Sequence, residues 1–210
     1  LDDIRKLAPY KEHIAVLYWG DEMNEAIEKN ALAFFCDKKN PSEFMRMADA
    51  EVREKYGFGK YGIPESAGDD NPFRWIAFRS WINDSLVKFY KHAYREVKTL
   101  YPEMIVVSDD PTARQDMVYG YSDYDGVCDI ITHQLYPQKN PDIEEFGFIT
   151  KYVRDLSGMK EVWPVPHVEE YGCSYTPEDV LEKLSETVRC GATGFHWWFN
   201  DTVGLRSGTK

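Results

Sequence analysis

Two hydrophobic rhythms alternate along this chain. Short, almost continuous apolar runs near 14–20, 104–108, 129–134, 162–168 and 194–199 have the length and β-branched or aromatic content of strands buried on both faces. Between them the apolar positions return at helical spacing. Residues 2–11 predict a first helix and 41–56 a second, with Asn40 or Ser42 as N-cap and Gly57 as stop. Residues 58–72, rich in Gly, Pro and Asp, read as an irregular loop. A long helix over 73–100 carries Trp81, Ile82, Leu86, Phe89, Tyr90, Ala93 and Val97 on its apolar side and is ended by Pro102. A shorter helix is expected over 142–157. Thr176-Pro177-Glu178-Asp179 opens a last one, with an N-cap residue, a first-turn proline and two acids; Gly191 closes it.

Strands separated by helices, with no hairpin turn between them, imply parallel pairing through right-handed crossovers. The expected class is therefore α/β, as one domain over 1–210. Tyr18-Trp19-Gly20-Asp21-Glu22 ends the first strand, and His167-Val168-Glu169-Glu170-Tyr171 ends the fourth. Carboxylates beyond the C-terminal ends of parallel strands face the mouth of an α/β barrel, where such enzymes keep their chemistry. Two facing carboxylates among tryptophans are the minimal apparatus for cleaving a glycosidic bond. Five strands cannot close a barrel. The missing strands are expected from preceding sequence or a partner chain, because an apolar Ile14–Trp19 edge would otherwise lie open.

Composition narrows the function classes. The chain has 210 residues, 43% of them hydrophobic, which is enough for a substantial core. A net charge of −11 without a basic cluster argues against nucleic acid or an anionic membrane as partner, and no apolar run is long enough to span a bilayer. The four cysteines, Cys36, Cys128, Cys173 and Cys190, are scattered without a Cys-x-x-Cys, so neither a zinc knot nor a dense disulfide framework is expected. The five histidines lack ligand spacing, and neither a metal nor another cofactor is expected. Aromatic residues make up 15% of the chain, which suits a well-filled core and equally a cleft in which rings stack on sugars. A carbohydrate is the expected partner, and a homo-oligomer is compatible with the sequence. Secreted, periplasmic and cytoplasmic locations all fit it. The chain begins with Leu1, which suggests a processed product or part of something longer.

Several segments in order resemble the catalytic (β/α)8 barrel of clan A glycoside hydrolases, nearest to glycoside hydrolase family 42, the β-galactosidase type. They are His13 with Ala15-Val16-Leu17-Tyr18-Trp19, Phe78-Arg79-Ser80, Asp129-Ile130-Ile131-Thr132 with Leu135-Tyr136-Pro137, and Cys190-Gly191-Ala192-Thr193-Gly194 before an aromatic run. The resemblance spans strands four to eight of that barrel. It implies a retaining hydrolase of β-linked sugars, with one Glu as acid/base and another as nucleophile. Asp21-Glu22 stands where the family carries Asn-Glu, and a literal Asn24-Glu25 follows.

Glu22 is the candidate acid/base, with Glu25 as the alternative. Glu169 is the candidate nucleophile, since it shares strand parity with Val165 and Trp163, whereas Glu170 falls on the other side. Asp21 would replace the family's Asn at the sugar 2-hydroxyl. Tyr136 could donate a hydrogen bond to the nucleophile, and Asp109 could bind a sugar hydroxyl. Of His133 and Gln134, one should point inward; His133 is the candidate ligand, although a lone strand histidine is more often structural. Trp19, Trp197 and Trp198 are candidate sugar platforms, with Trp198 favoured by the resemblance, and Asn200 and Asp201 would lie at the mouth. Two other readings remain open: a carbohydrate-binding barrel without catalysis, and another carboxylate-dependent barrel hydrolase or lyase.

Overall fold

The structure, a computed structural model, describes residues 2–20, 54–57, 60, 70–108, 120–134, 143–158, 161–166 and 175–197. The 2–11 stretch divides into helix α1, Asp2–Arg5, and a 3-10 segment, Ala8–His13, with Pro9 in its first turn. Strand β1 is Val16–Tyr18. Helix α2, Pro72–Leu100, follows the predicted period closely. Its N-cap Asn71 accepts the Phe73 N–H at 3.1 Å, and Pro72 occupies a position that has no intrahelical acceptor to lose. Phe78, Ile82, Leu86, Tyr90, Ala93 and Val97 form the buried stripe, while Phe89 lies exposed. Strand β2 is Ile105–Val107, β3 is Ile131–Gln134, helix α3 is Ile143–Ser157, β4 is Val162–Val165 and helix α4 is Pro177–Arg189. Helix α4 starts in a reciprocal capping box: the Asp179 N–H donates to the Thr176 hydroxyl at 3.1 Å, and the Thr176 N–H donates to the Asp179 carboxylate at 2.8 Å. The helix expected over 41–56 falls almost wholly outside the described residues.

The strands do not form the five-stranded barrel portion expected from the sequence. Among the described residues, four short strands make two separate two-stranded parallel sheets, β1–β2 and β3–β4. One isolated parallel bridge, Val107 with Ile130, links them. Side chains explain the break between β2 and β3. The Asp129 carboxylate takes the Val106 N–H at 2.8 Å, and the Ser108 hydroxyl takes the Thr132 N–H at 2.9 Å. Donors that would otherwise extend a ladder are thus spent on side chains.

The fifth expected strand is also absent over 194–197. The chain there lies along β4, with Thr193 N–H donating to the Val162 carbonyl and His196 N–H to the Pro164 carbonyl, both near 3.1 Å. Three residues on one side span two on the other, which is the mismatch that defines a bulge and ends regular pairing. The Thr193 hydroxyl also accepts the Val162 N–H at 3.0 Å. Gly194 permits this close course, because a Cβ there would sit 2.5 Å from the Trp163 indole nitrogen. Gly194→Ala should therefore destabilise the protein by about 1–3 kcal/mol, since the indole is rigid and must shift. A thermal melt unchanged from that of the parent would contradict this packing.

Alternation along the strands defines two faces. Leu17, Val106, Ile131 and Val162 face the helices and join Leu86, Tyr90, Val97, Phe146, Ile149 and Val153 in the core. The other face carries Val16 and Tyr18, Ile105 and Val107, Thr132 and Gln134, and Trp163 and Val165, in register across each pair. At the start of the strands this second face is apolar and open: Val16 is 44% exposed. At their ends it turns polar and buried, with Thr132 and Gln134 fully enclosed.

Candidate functional site

The strands run in one direction, so their C-terminal ends share one side of the molecule. On the second face that side presents Tyr18 from β1, Thr132 and Gln134 from β3, Trp163 and Val165 from β4, and His196 beyond α4. The Tyr18 and His196 rings meet edge to face with centroids 4.9 Å apart, so β1 and the segment beyond α4 come together here. The Thr132 hydroxyl is 3.0 Å from that of Ser108, and the Ser108 N–H donates to the Ile130 carbonyl at 2.9 Å. Hydroxyl, amide, imidazole and phenol groups thus share this face with an indole, Thr132 and Gln134 enclosed within it and Tyr18 and His196 half-buried.

His133 stands on the opposite face. It is fully buried, its ring centroid 5.3 Å from that of Phe146, and its Nε2 lies 2.9 Å from the Thr150 hydroxyl. That hydroxyl donates its only proton to the Phe146 carbonyl at 2.9 Å. It must therefore accept from His133, which fixes the proton on Nε2 and leaves Nδ1 an unprotonated acceptor with no partner among the described residues. Burial, followed by the nearby Lys183 charge, lowers the His133 pKa to about 3. The residue is a neutral wedge between sheet and helix and does not lie on the face that carries Thr132 and Gln134. Its neighbour Gln134 lies on the other face, paired with Val165.

Trp19 is likewise turned toward the helices. Its ring stacks on Tyr90 with centroids 5.8 Å apart, and its Nε1 donates to the Val127 carbonyl at 3.0 Å. It secures β1 to α2 and is not a sugar platform. Asp21, Glu22, Asp109, Tyr136, Glu169, Trp198 and Asn200 lie outside the described residues, as do the alternatives Glu25 and Glu170. Trp197 is described and 49% exposed. Thr132, Tyr18 and His196 were not singled out by sequence. The parity of Val165 and Trp163 on β4, with the register of β3 against it, is the signal that finds Thr132 and Gln134.

Asp129 belongs to the frame of the site. It accepts from Lys98 at 2.6 Å, the Tyr94 hydroxyl at 2.8 Å and the Val106 N–H. Burial pushes its pKa up, but these three donors outweigh burial and hold it below the ordinary carboxylate value. A separate open groove of about 510 Å³, lined by His13, Ile14, Tyr101 and Met104 among others, lies at the N-terminal ends of β1 and β2. Among the described residues no group of three or more His, Cys, Asp or Glu side chains could hold a metal ion, and no helix is long and apolar enough to cross a membrane. Neither Cys128 nor Cys190 is in a disulfide. No family model matches the chain, and no curated protein is significantly similar to it.

Proposed function

We propose that this chain is a retaining glycoside hydrolase acting on β-linked sugars, of β-galactosidase-like specificity. Glu169 is the nucleophile and Glu22 the acid/base. The observation that carries this reading is the common direction of β1 and β4. Each carboxylate follows its strand by four residues, Tyr18 to Glu22 and Val165 to Glu169, so both segments leave from the same side. The half-buried Tyr18 and His196 rings lie at that side as well.

The Glu169 carboxylate attacks the anomeric carbon while Glu22 gives its proton to the departing glycosidic oxygen. A covalent glycosyl ester forms, and the bond to the leaving group breaks. Glu22, now a carboxylate, takes a proton from water as that water attacks the same carbon and releases Glu169. Retention requires the two carboxyls to approach to about 5–5.5 Å. A carboxyl that must first give and then take a proton works best with a pKa near the operating pH.

A 2-deoxy-2-fluoro galactoside with an activated leaving group tests the reading. It should inactivate the protein stoichiometrically and add the mass of one fluorosugar to the peptide containing Glu169. Binding of galactosides without label or turnover would replace the hydrolase with a carbohydrate-binding function. Label on Glu170 would move the nucleophile by one residue.

A further inference from the structure

Helix α2 carries more cations than its own acids can pair. Its two carboxylates are already engaged: Asp84 accepts from the Lys55 ammonium and the Tyr56 hydroxyl, both at 2.5 Å, and Glu96 faces Arg5 at 3.5 Å. Lys88, Lys91 and Arg95 are left without an ion pair among the described residues. Their spacing gathers them along the outer side of the helix. Lys88 and Arg95 are exposed, Lys91 is partly so, and Phe89 stands among them 58% exposed.

Helix α4 has the opposite remainder. Lys183 is enclosed, Arg189 pairs with Glu186 at 3.1 Å, and Asp179 closes the capping box. Glu178 and Glu182 remain, both exposed and without an ion pair among the described residues. Beside them Leu181 is 67% and Val188 55% exposed, two turns apart, with Ser185 between. The Ser185 hydroxyl donates back to the Leu181 carbonyl at 2.7 Å, so this small residue leaves a notch between the two aliphatic side chains. Single exposed charges and lone apolar side chains are ordinary surface features. Here unpaired cations flank one exposed ring, and unpaired anions flank an apolar notch.

We propose that the Lys88–Arg95 face of α2 docks on the Glu178–Val188 face of α4 in a second copy of this chain. Phe89 seats between Leu181 and Val188 over Ser185, and Lys88, Lys91 and Arg95 meet Glu178 and Glu182. A chain of net charge −11 repels its copies on average, so a cationic patch is where an acidic face of a copy can approach. The two faces differ, so the contact is heterologous, and assembly ends in a ring or continues as an open chain. Two helix faces bury less than a standard interface, which makes the association weak, roughly micromolar or weaker.

Sedimentation velocity of the chain over a concentration series tests this. Association should appear at about 20 mM salt and weaken about tenfold or more at about 500 mM. Lys88→Glu with Arg95→Glu should abolish it, and so should Glu178→Lys with Glu182→Lys. Neither doubly substituted protein should self-associate, but their equimolar mixture should, because each then offers what the other lacks. That mixture also shows that both proteins are folded. Glu182→Lys alone, away from the helix start, should weaken association in the same direction, and Phe89→Ser should weaken it with every charge in place. A monomer at all concentrations in low salt, association that survives either charge reversal or Glu182→Lys, or a mixture of folded variants that stays monomeric overturns the contact. An unchanged Phe89→Ser overturns the seating of the ring. If only the α2 reversal abolishes association, that face binds another acidic surface and the α4 contact falls.

Discussion

Glu169→Gln should lower kcat on an aryl β-galactoside by at least about 10⁴-fold, the scale on which loss of a principal catalytic group registers. Gln keeps the shape of Glu but not its charge, so it cannot form the glycosyl ester. Glu22→Gln should behave differently. An aryl leaving group departs with little protonic help, so formation of the ester survives, while its hydrolysis loses the base. With an unactivated disaccharide both steps suffer, and the loss should reach roughly 10²–10⁴-fold. The diagnostic result is a glycosyl-enzyme that accumulates in Glu22→Gln with the aryl substrate and is seen by mass spectrometry. If Glu25→Gln accumulates it and Glu22→Gln does not, the acid/base is Glu25.

The second large effect concerns stability in mild acid. His133 is held neutral in the folded state, its pKa lowered to about 3 from an ordinary value near 6.5. Between those values the unfolded chain binds a proton that the folded chain refuses, so stability must fall as pH drops below about 6.5 and level off near 3. Above 6.5 both states are neutral and the residue contributes no slope. Two pH units of descent, to about 4.5, should cost about 3 kcal/mol from this residue alone. His133→Leu keeps the apolar contact with Phe146 and removes the titration. Urea unfolding of the two proteins should show a shallower pH slope for the variant between 6.5 and 4.5. Parallel slopes would mean that His133 takes up its proton in the folded protein.

Helices and strands were legible to different degrees, for physical reasons. The Asn71 cap, the stripe from Phe78 to Val97 and the Thr176-Pro177 start of α4 are local signals, satisfied by the chain within one or two turns. Four of the expected strand positions hold strands, because an apolar run needs only length and β-branched content to declare itself. How strands join depends on side chains far apart in sequence. Nothing in the Asp129 or Ser108 neighbourhood announces that these residues will capture the N–H groups of Val106 and Thr132 and confine β2–β3 pairing to one bridge. The glycine at 194 was visible, but its effect required knowing that Trp163 would lie against it.

The site followed the same division. Parity along β4 correctly separates Trp163 and Val165 from Val162 and Pro164, and register carries that division to β3. The sequence leaves open which of His133 and Gln134 points inward. The choice between faces is made by burial against Phe146 and Thr150, which no local pattern reveals. Trp19 failed for a related reason. An indole at a strand end can stack on a ligand or on a helix, and Tyr90 is seventy-one positions away.

The junction between the two strand pairs has a consequence for how this protein can change over generations. In a continuous sheet the rungs are backbone to backbone, and almost any substitution leaves them in place. Here, beside the backbone bonds of the single bridge, two donors depend on a carboxylate and a hydroxyl, so part of the coupling of one strand pair to the other is encoded in residue identity. Ser108→Ala would free the buried Thr132 N–H without touching a strand, and Ser108→Thr would retain an acceptor. The seam is therefore a place where single-nucleotide changes can loosen or tighten the join between the two pairs.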